Sequence, residues 1–294
     1  MAATTSFLRH ANYKWLKNGL WLTAIAIVAY VAWDPIGGRN GGTAVGYGLG
    51  GVGAALILWL SWLGVRKRSF ASKRRRFFPQ IARRLAANPE ATLRGWTSAH
   101  VYLGLALLVL ATLHTGFEFG WNIHTLAYAL MVLVILSGIL LIIAYASIPD
   151  AMSENLAGES PERVRKRVED ADAALARLAT RLPDAFAGPV RRALRETRIG
   201  GGPIALLSGS HRNCAASRAL SEANAAAATD HGANPKDVSD LISALALKAK
   251  LTRTLRRDAA LKARMEGALW IHVPVTIALI AALTAHVISV FFYW

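Results

Sequence analysis

Five stretches of this chain, at 15–33, 44–64, 96–119, 125–148 and 268–293, are almost free of charge and rich in Leu, Ile, Val and Ala. A helix needs about 20 such residues to cross a hydrocarbon layer of ~30 Å, and each stretch is of that order. Within lipid every backbone N–H and C=O has to find its partner inside the protein, which leaves helices or closed barrels. The runs are continuously apolar rather than alternating, so they predict helices. The expected fold is therefore an all-α membrane protein with five transmembrane helices. The second run is the weakest, because it opens on the small residues GYGLGGVG at 46–53. Tryptophans stand near the ends of the runs, at Trp15, Trp33, Trp62, Trp96, Trp121, Trp270 and Trp294. Their amphipathic rings suit the membrane–water interface. The first run is long and lacks a small-x-small cleavage site before Asp34, so it is expected to stay as an uncleaved span.

Charge gives the orientation. The connection at 65–95 holds ten Lys and Arg residues against one acid, Glu90, whereas 34–43 and 120–124 hold almost no charge. Cytoplasmic loops carry the excess of Lys and Arg, so the N-terminus is expected inside and the C-terminus outside, in a bacterial-type inner membrane. Of 34 basic residues only Arg39 then lies outside. The net charge of +16 would suit nucleic acid, but topology and anionic lipid headgroups account for most of it. Membrane lipid is the expected partner, and nucleic acid is not.

Several chemistries are excluded. One cysteine, Cys214, leaves no internal disulfide and no all-cysteine metal or iron–sulfur site. C-x-x-C-H is absent, which removes covalent c-type haem. No glycine-rich dinucleotide fingerprint or Walker motif follows a plausible strand. The glycines at 46–51 lie at the start of an apolar run, where small residues allow close helix packing or close approach to a flat macrocycle.

The chain accordingly divides into four spans at 1–149, a helical cytoplasmic insertion at 150–267 and a fifth span at 268–294. In the insertion, Ser160-Pro161-Glu162 is a helix start, and Val164, Val168, Ala171, Leu175, Leu178 and Leu182 make an apolar stripe that Pro183 ends. Asn234-Pro235 opens a second helix with Val238, Leu241, Leu245 and Leu255, expected to run on toward the fifth span. The two stripes can pack as an antiparallel hairpin. IGGGP and an alanine-rich, low-complexity segment separate them. His211 and Cys214 in this middle region would hold a metal only with donors from elsewhere.

Histidine supplies the chemistry. His100 and His114 lie in the third apolar run, and His272 and His286 in the fifth. Each pair is 14 residues apart, which on a helix is a separation of about 21 Å along the axis, with the rings only ~40° apart around it. Both runs pass from inside to outside, so His100 matches His272 in depth and His114 matches His286. A lone intramembrane histidine can simply hydrogen-bond a neighbouring helix. Four histidines in two spans at one repeated spacing instead make two facing pairs, one near each surface. That arrangement suits two b-type haems.

The H-x13-H pair on each of two parallel spans resembles the bis-histidine pattern of membrane cytochromes b. Its placement on the third and fifth spans is similar to the transmembrane domain of ferric reductases and NADPH oxidases. The resemblance covers about 200 residues, without the insertion. It implies that His100 and His272 hold an inner haem iron, and His114 and His286 an outer one. The chain departs from the ferric reductase pattern in having no sixth span and no flavin or nicotinamide domain, so electrons from a nicotinamide would need a separate protein.

The expected function is transmembrane electron transfer through two haems b, between redox partner proteins on the cytoplasmic or periplasmic side. In a first alternative the chain is the cytochrome b subunit of a quinone-linked oxidoreductase, with Glu118 or His124 as proton acceptor beside the outer haem. In a second it is a haem-free membrane scaffold whose insertion recruits a cytoplasmic partner. Arg94, Lys14 and Arg39 are candidate cations for haem propionates. Pro274, two residues after His272, removes a helix hydrogen bond near the inner pair.

Overall fold

The structure, a computed structural model, describes residues 7–32, 41–71, 93–200, 206, 214–229 and 232–292, with the side chains of 65–71 excepted. Trp33, Arg39, most of the basic connection, His211 and Trp294 lie outside these residues. Among the described residues every regular element is a helix: α1 (Lys14–Ala32), α2 (Ala44–Ala71), α3 (Leu93–Thr115), α4 (Ile123–Asn155), α5 (Pro161–Ala179), α6 (Asp184–Glu196), α7 (Ala215–Thr229) and α8 (Pro235–Phe292). Five of them, α1 to α4 and α8, are long and apolar enough to cross a membrane. The chain forms two compact units, one of Met1–Ile143 with Ala268–Trp294, the other of Ala144–Gly267.

In the membrane unit α3 is the most enclosed helix. Ala99, Leu103, Ala106, Leu107 and Leu110 recur at helical spacing and are buried. Ile57 of α2, Met131 of α4 and Leu279 of α8 meet Ala99, Leu103 and Leu107 in one apolar cluster. Small residues set the approach of α1. A Cβ on Gly19 would lie 3.0 Å from the Tyr102 carbonyl oxygen, so only glycine lets the two backbones come this close. Tyr102 donates to the Leu8 carbonyl at 3.0 Å. Trp15, Trp59 and Trp96 stack in sequence at the His100 end, with centroid separations of 6.2 and 4.7 Å. The opposite faces carry exposed Trp21, Ile25, Val28, Leu136, Leu140, Ile277 and Ile288. Water disfavours such a surface and lipid accommodates it. Hydroxyls on these helices turn back to their own backbone, as Ser61 does to Ile57, Thr284 to Ile280 and Thr276 to His272. These three then need no water, whereas the buried Ser98 hydroxyl of α3 has no partner.

The third span is shorter than the apolar run. Helix α3 stops at Thr115, and Gly116 and Phe117 follow with φ of 59° and 63°. The side chain of Thr115 accepts from the Phe117 N–H at 3.2 Å, closing the turn. Phe117 and Phe119 extend the hydrophobic run but are exposed turn residues. Asn122 then caps α4 by accepting from the Thr125 N–H at 2.9 Å, and Thr125 Oγ1 accepts from the Gly120 N–H at 3.1 Å. The helix thus starts at Ile123 and takes in His124.

The helical unit is built on the expected antiparallel stripes. Val164 and Val168 of α5 meet Leu251 and Leu255 of α8, while Leu175, farther along α5, meets Leu241 and Leu245, earlier on α8. Ser160 caps α5 by accepting from the Arg163 N–H, with Pro161 at the first helical position. Helices α6 and α7 were not expected. The first buries Phe186, Val190 and Ala193, and the second buries Ala216, Ala219 and Ala223. Cys214 is a free, buried thiol packed with Ala216 and Ala249.

One buried acid gives this unit a pH dependence. Asp258 is 8% exposed, and one of its carboxylate oxygens lacks a hydrogen-bond partner. Burial raises its pKa above the usual carboxylate range, with Lys262 pulling it down and Glu162 adding to the rise. A carboxyl whose pKa is higher in the folded than in the unfolded state contributes stability when protonated, and loses it as the pH rises through the folded value. Thermal unfolding should therefore show the wild type gaining stability as the pH falls from neutral into the acid range. The Asp258→Asn variant should be the more stable near neutrality and should lack that component.

Candidate functional site

Helices α3 and α8 run parallel in the membrane unit and bring the histidines together in two levels. At the first, the rings of His100 and His272 have centroids 6.3 Å apart and planes inclined at 64°. At the second, His114 and His286 are 6.2 Å apart at 69°. Leu107 and Leu279 each stand seven residues from both histidines of their own helix. With Ile57 and Met131 they form a buried apolar cluster between the levels and line the cavity that opens at the second.

The outward-facing nitrogens are tied down. His114 Nδ1 lies 2.7 Å from the Gly46 carbonyl oxygen, and His100 Nδ1 lies 3.1 Å from that of Leu60. A carbonyl only accepts, so Nδ1 carries the proton in both rings and Nε2 keeps its lone pair. His272 Nδ1 is 2.9 Å from Ser137 Oγ. That hydroxyl gives its proton to the Val134 carbonyl at 2.8 Å, so it accepts from His272 and leaves Nε2 free there too. A hydrogen bond on one ring nitrogen, fixing tautomer and orientation, is the usual support of a metal-ligating imidazole.

Glycine makes room for the rings. A Cβ on Gly50 would lie 2.6 Å from His114 Cε1, whereas one on Gly48 or Gly51 would meet nothing within 4 Å. Gly138 lies beside His272, but its Cβ position, 3.4 Å from Cε1, is at ordinary contact distance and does not demand glycine. Of the two uses expected for the glycines at 46–51, close approach applies at Gly50, and it is an approach to an imidazole.

A third histidine enters the second level. His124 at the start of α4 has its ring centre 5.2 Å from that of His114 and 4.8 Å from that of His286. A ligand nitrogen from each of the three lies within 4.8 Å of the others. These rings line a cavity of about 830 Å³, together with Gly50, Glu118, Tyr128, Leu283 and Ser289. Tyr128 is held by a 2.9 Å hydrogen bond with Thr112. No protein-family model matches the chain, and neither curated proteins nor solved structures give a match.

A histidine nitrogen binds a transition metal at about 2.0 Å, and its ring centre lies ~1.1 Å farther back, so two imidazoles on opposite sides of one ion have centres about 6.2 Å apart. The 6.3 and 6.2 Å separations fit that requirement at both levels. The donor sets fit as well, since bis-imidazole ligation is an established way to hold haem iron. At the second level the cavity suits a macrocycle in volume, provided that His124 turns aside. Helix α4 supplies Ser137 and Gly138 as well as His124, and of these only His124 was singled out in the sequence, as a proton acceptor beside the outer pair. The Asn122–Thr125 cap was the legible signal for His124, whereas Ser137 and Gly138 carry none.

Proposed function

We propose that the chain is a di-haem membrane cytochrome b that passes single electrons between the two surfaces of a cytoplasmic membrane. The observation that supports this reading most strongly is the pair of histidine levels, each spaced for one bis-imidazole metal centre. His100 and His272 would hold the inner group, and His114 and His286 the outer one. When bound, the two haems supply one-electron carriers whose ligation changes little with oxidation state.

The chain's own residues do the rest. Fourteen helical residues set the levels about 21 Å apart along α3 and along α8. The Gly46 and Leu60 carbonyls and Ser137 Oγ fix the tautomers before any ligand arrives. Ile57, Leu107, Met131 and Leu279 keep water and protons out of the interval. The basic 65–95 connection favours the His100 level facing the cytoplasm. Redox partner proteins with acidic surface would be attracted to that side.

The quinone-linked reading has an observation in its favour. Glu118, His124 and Tyr128 all line the cavity at the His114 level and present an acid, a base and a hydroxyl to one apolar space. In that reading His124 or Glu118 accepts the proton released when a quinol is oxidised.

Proteoliposomes with ferricyanide trapped inside test the main reading. A membrane-impermeant reductant outside should be oxidised quickly by wild-type vesicles, and at least about tenfold more slowly with His272→Ala or His114→Ala. Equal rates in all three would sink transmembrane transfer through these histidines. Dependence on added quinone that disappears in Glu118→Gln while the rate with ferricyanide persists would favour the alternative.

A further inference from the structure

His124 does more at the second level than border a cavity. Its ring centre and those of His114 and His286 form a triangle with sides of 5.2, 4.8 and 6.2 Å. The point equidistant from all three lies about 3.2 Å from each centre, which follows from those separations. An imidazole ligating a transition-metal ion places its ring centre about 3.1 Å from the ion, by the bond length of about 2.0 Å and the ~1.1 Å ring offset. The three ring centres are therefore spaced as three imidazoles around one ion require, and a ligand nitrogen of each lies within 4.8 Å of the others. The first level has no such third ring among the described residues, because His272 there meets Ser137 instead.

Local structure holds this arrangement. The Gly116–Phe117 turn and the Asn122–Thr125 cap fix His124 at the head of α4, ten residues after His114. The Gly46 carbonyl leaves His114 only Nε2 to offer. Glu118 lines the same cavity but does not join the cluster of ligand atoms, which leaves the fourth position to water. Three histidines with one open position make a donor set suited to zinc, copper or iron and ill suited to magnesium or calcium.

We propose that the cluster His114, His124 and His286 binds a single divalent transition-metal ion of the zinc type in the haem-free chain, with water as fourth ligand. The ion takes the point midway among the rings, and His124 then occupies space that a macrocycle held by His114 and His286 would fill. Ion and haem exclude one another at this level, and His124 is the residue whose position differs between the two states. The exclusion rests on the di-haem reading; the ion site does not.

The test uses untagged, full-length protein in detergent, prepared haem-free from haem-depleted cells and dialysed against micromolar Zn²⁺. Metal content should reach about one ion per chain in the wild type and in His100→Ala, as expected of one closed three-histidine set. In His124→Ala and His114→Ala the affinity should fall at least tenfold, with helicity by circular dichroism unchanged. Co²⁺ in place of Zn²⁺ should give visible d–d absorption in the wild type that His124→Ala loses. Wild-type protein loaded with haem should take up no Zn²⁺ at this level, while His124→Ala keeps its full haem content. Zinc uptake unaffected by His124→Ala, or none in the wild type, would overturn the ion site. Zinc uptake that persists undiminished in haem-loaded wild type would overturn the exclusion and leave the ion site standing.

Discussion

In the proposed di-haem chain, replacing Gly50 with alanine should remove the haem at the His114 level and leave the other in place. Haem content is then expected to fall from about two per chain to about one, since loss of support around a ligating histidine weakens binding by about 10- to 100-fold. The added Cβ would stand 2.6 Å from His114 Cε1, 2.9 Å from Nδ1 and 3.1 Å from Nε2, so the imidazole has to leave its position. It is held there by the 2.7 Å hydrogen bond to the Gly46 carbonyl, one turn earlier on the same helix. The methyl group therefore disturbs both tautomer and aim. Gly48→Ala and Gly51→Ala, whose Cβ positions meet nothing within 4 Å, should keep both haems. Pyridine haemochrome assays on the three variants decide the matter, because a general intolerance of α2 to alanine would affect them alike.

The second large effect belongs to the helical unit. Lys248 is 1% exposed, and its ammonium pairs with Asp172 and also donates to the Ala193 carbonyl. One side chain of α8 thus ties α5 to α6. Breaking a buried pair by removing one partner costs about 3–5 kcal/mol, because it leaves a charge without compensation. Asp172 keeps 34% of its side chain exposed and can turn to water, so the lower end applies. Lys248→Ala should therefore destabilise the full-length protein by about 3 kcal/mol in chemical denaturation. Lys248→Met fills the same volume without a charge and should cost less. A fall in midpoint with no change in haem content would show that this pair serves the helical unit alone.

The parts of the fold that rest on uniform apolar composition were legible in the sequence. Five spans follow from run length, and the α5–α8 pairing follows from Val164, Val168, Leu175, Leu241, Leu245 and Leu255 at helical spacing. Helix α6 was missed although Phe186, Val190 and Ala193 form a stripe at helical spacing, and α7 was not legible. Alanine is too weakly hydrophobic to show a stripe, and Ala216, Ala219 and Ala223 are buried because they are small enough for close contact. Glycine and proline around them looked like linker. The end of α3 was misplaced for a related reason, since Phe117 and Phe119 prolong the hydrophobic run while the backbone has already turned at Gly116.

At the site, periodicity placed the four histidines on two facing stripes but gave no view of what holds them. The Gly46 and Leu60 carbonyls are backbone atoms and carry no sequence signature. Ser137 and Gly138 are ordinary residues of a membrane helix until His272 is seen beside them. His124 was read as a residue of the turn, a proton acceptor near the outer pair. The Asn122 cap draws it into α4 and into ring contact with both His114 and His286. Expectation and structure differ here by one helix boundary, which changes a bordering residue into a potential ligand.

The most direct test of the central claim is the haem stoichiometry of the wild-type chain, measured by pyridine haemochrome on detergent-purified protein made with ample haem. Two histidine levels, each spaced for one iron, predict about two haems b per chain and a sharp reduced α band. Well-folded protein with no haem would contradict the account, and would leave a membrane scaffold with a histidine metal site in its place.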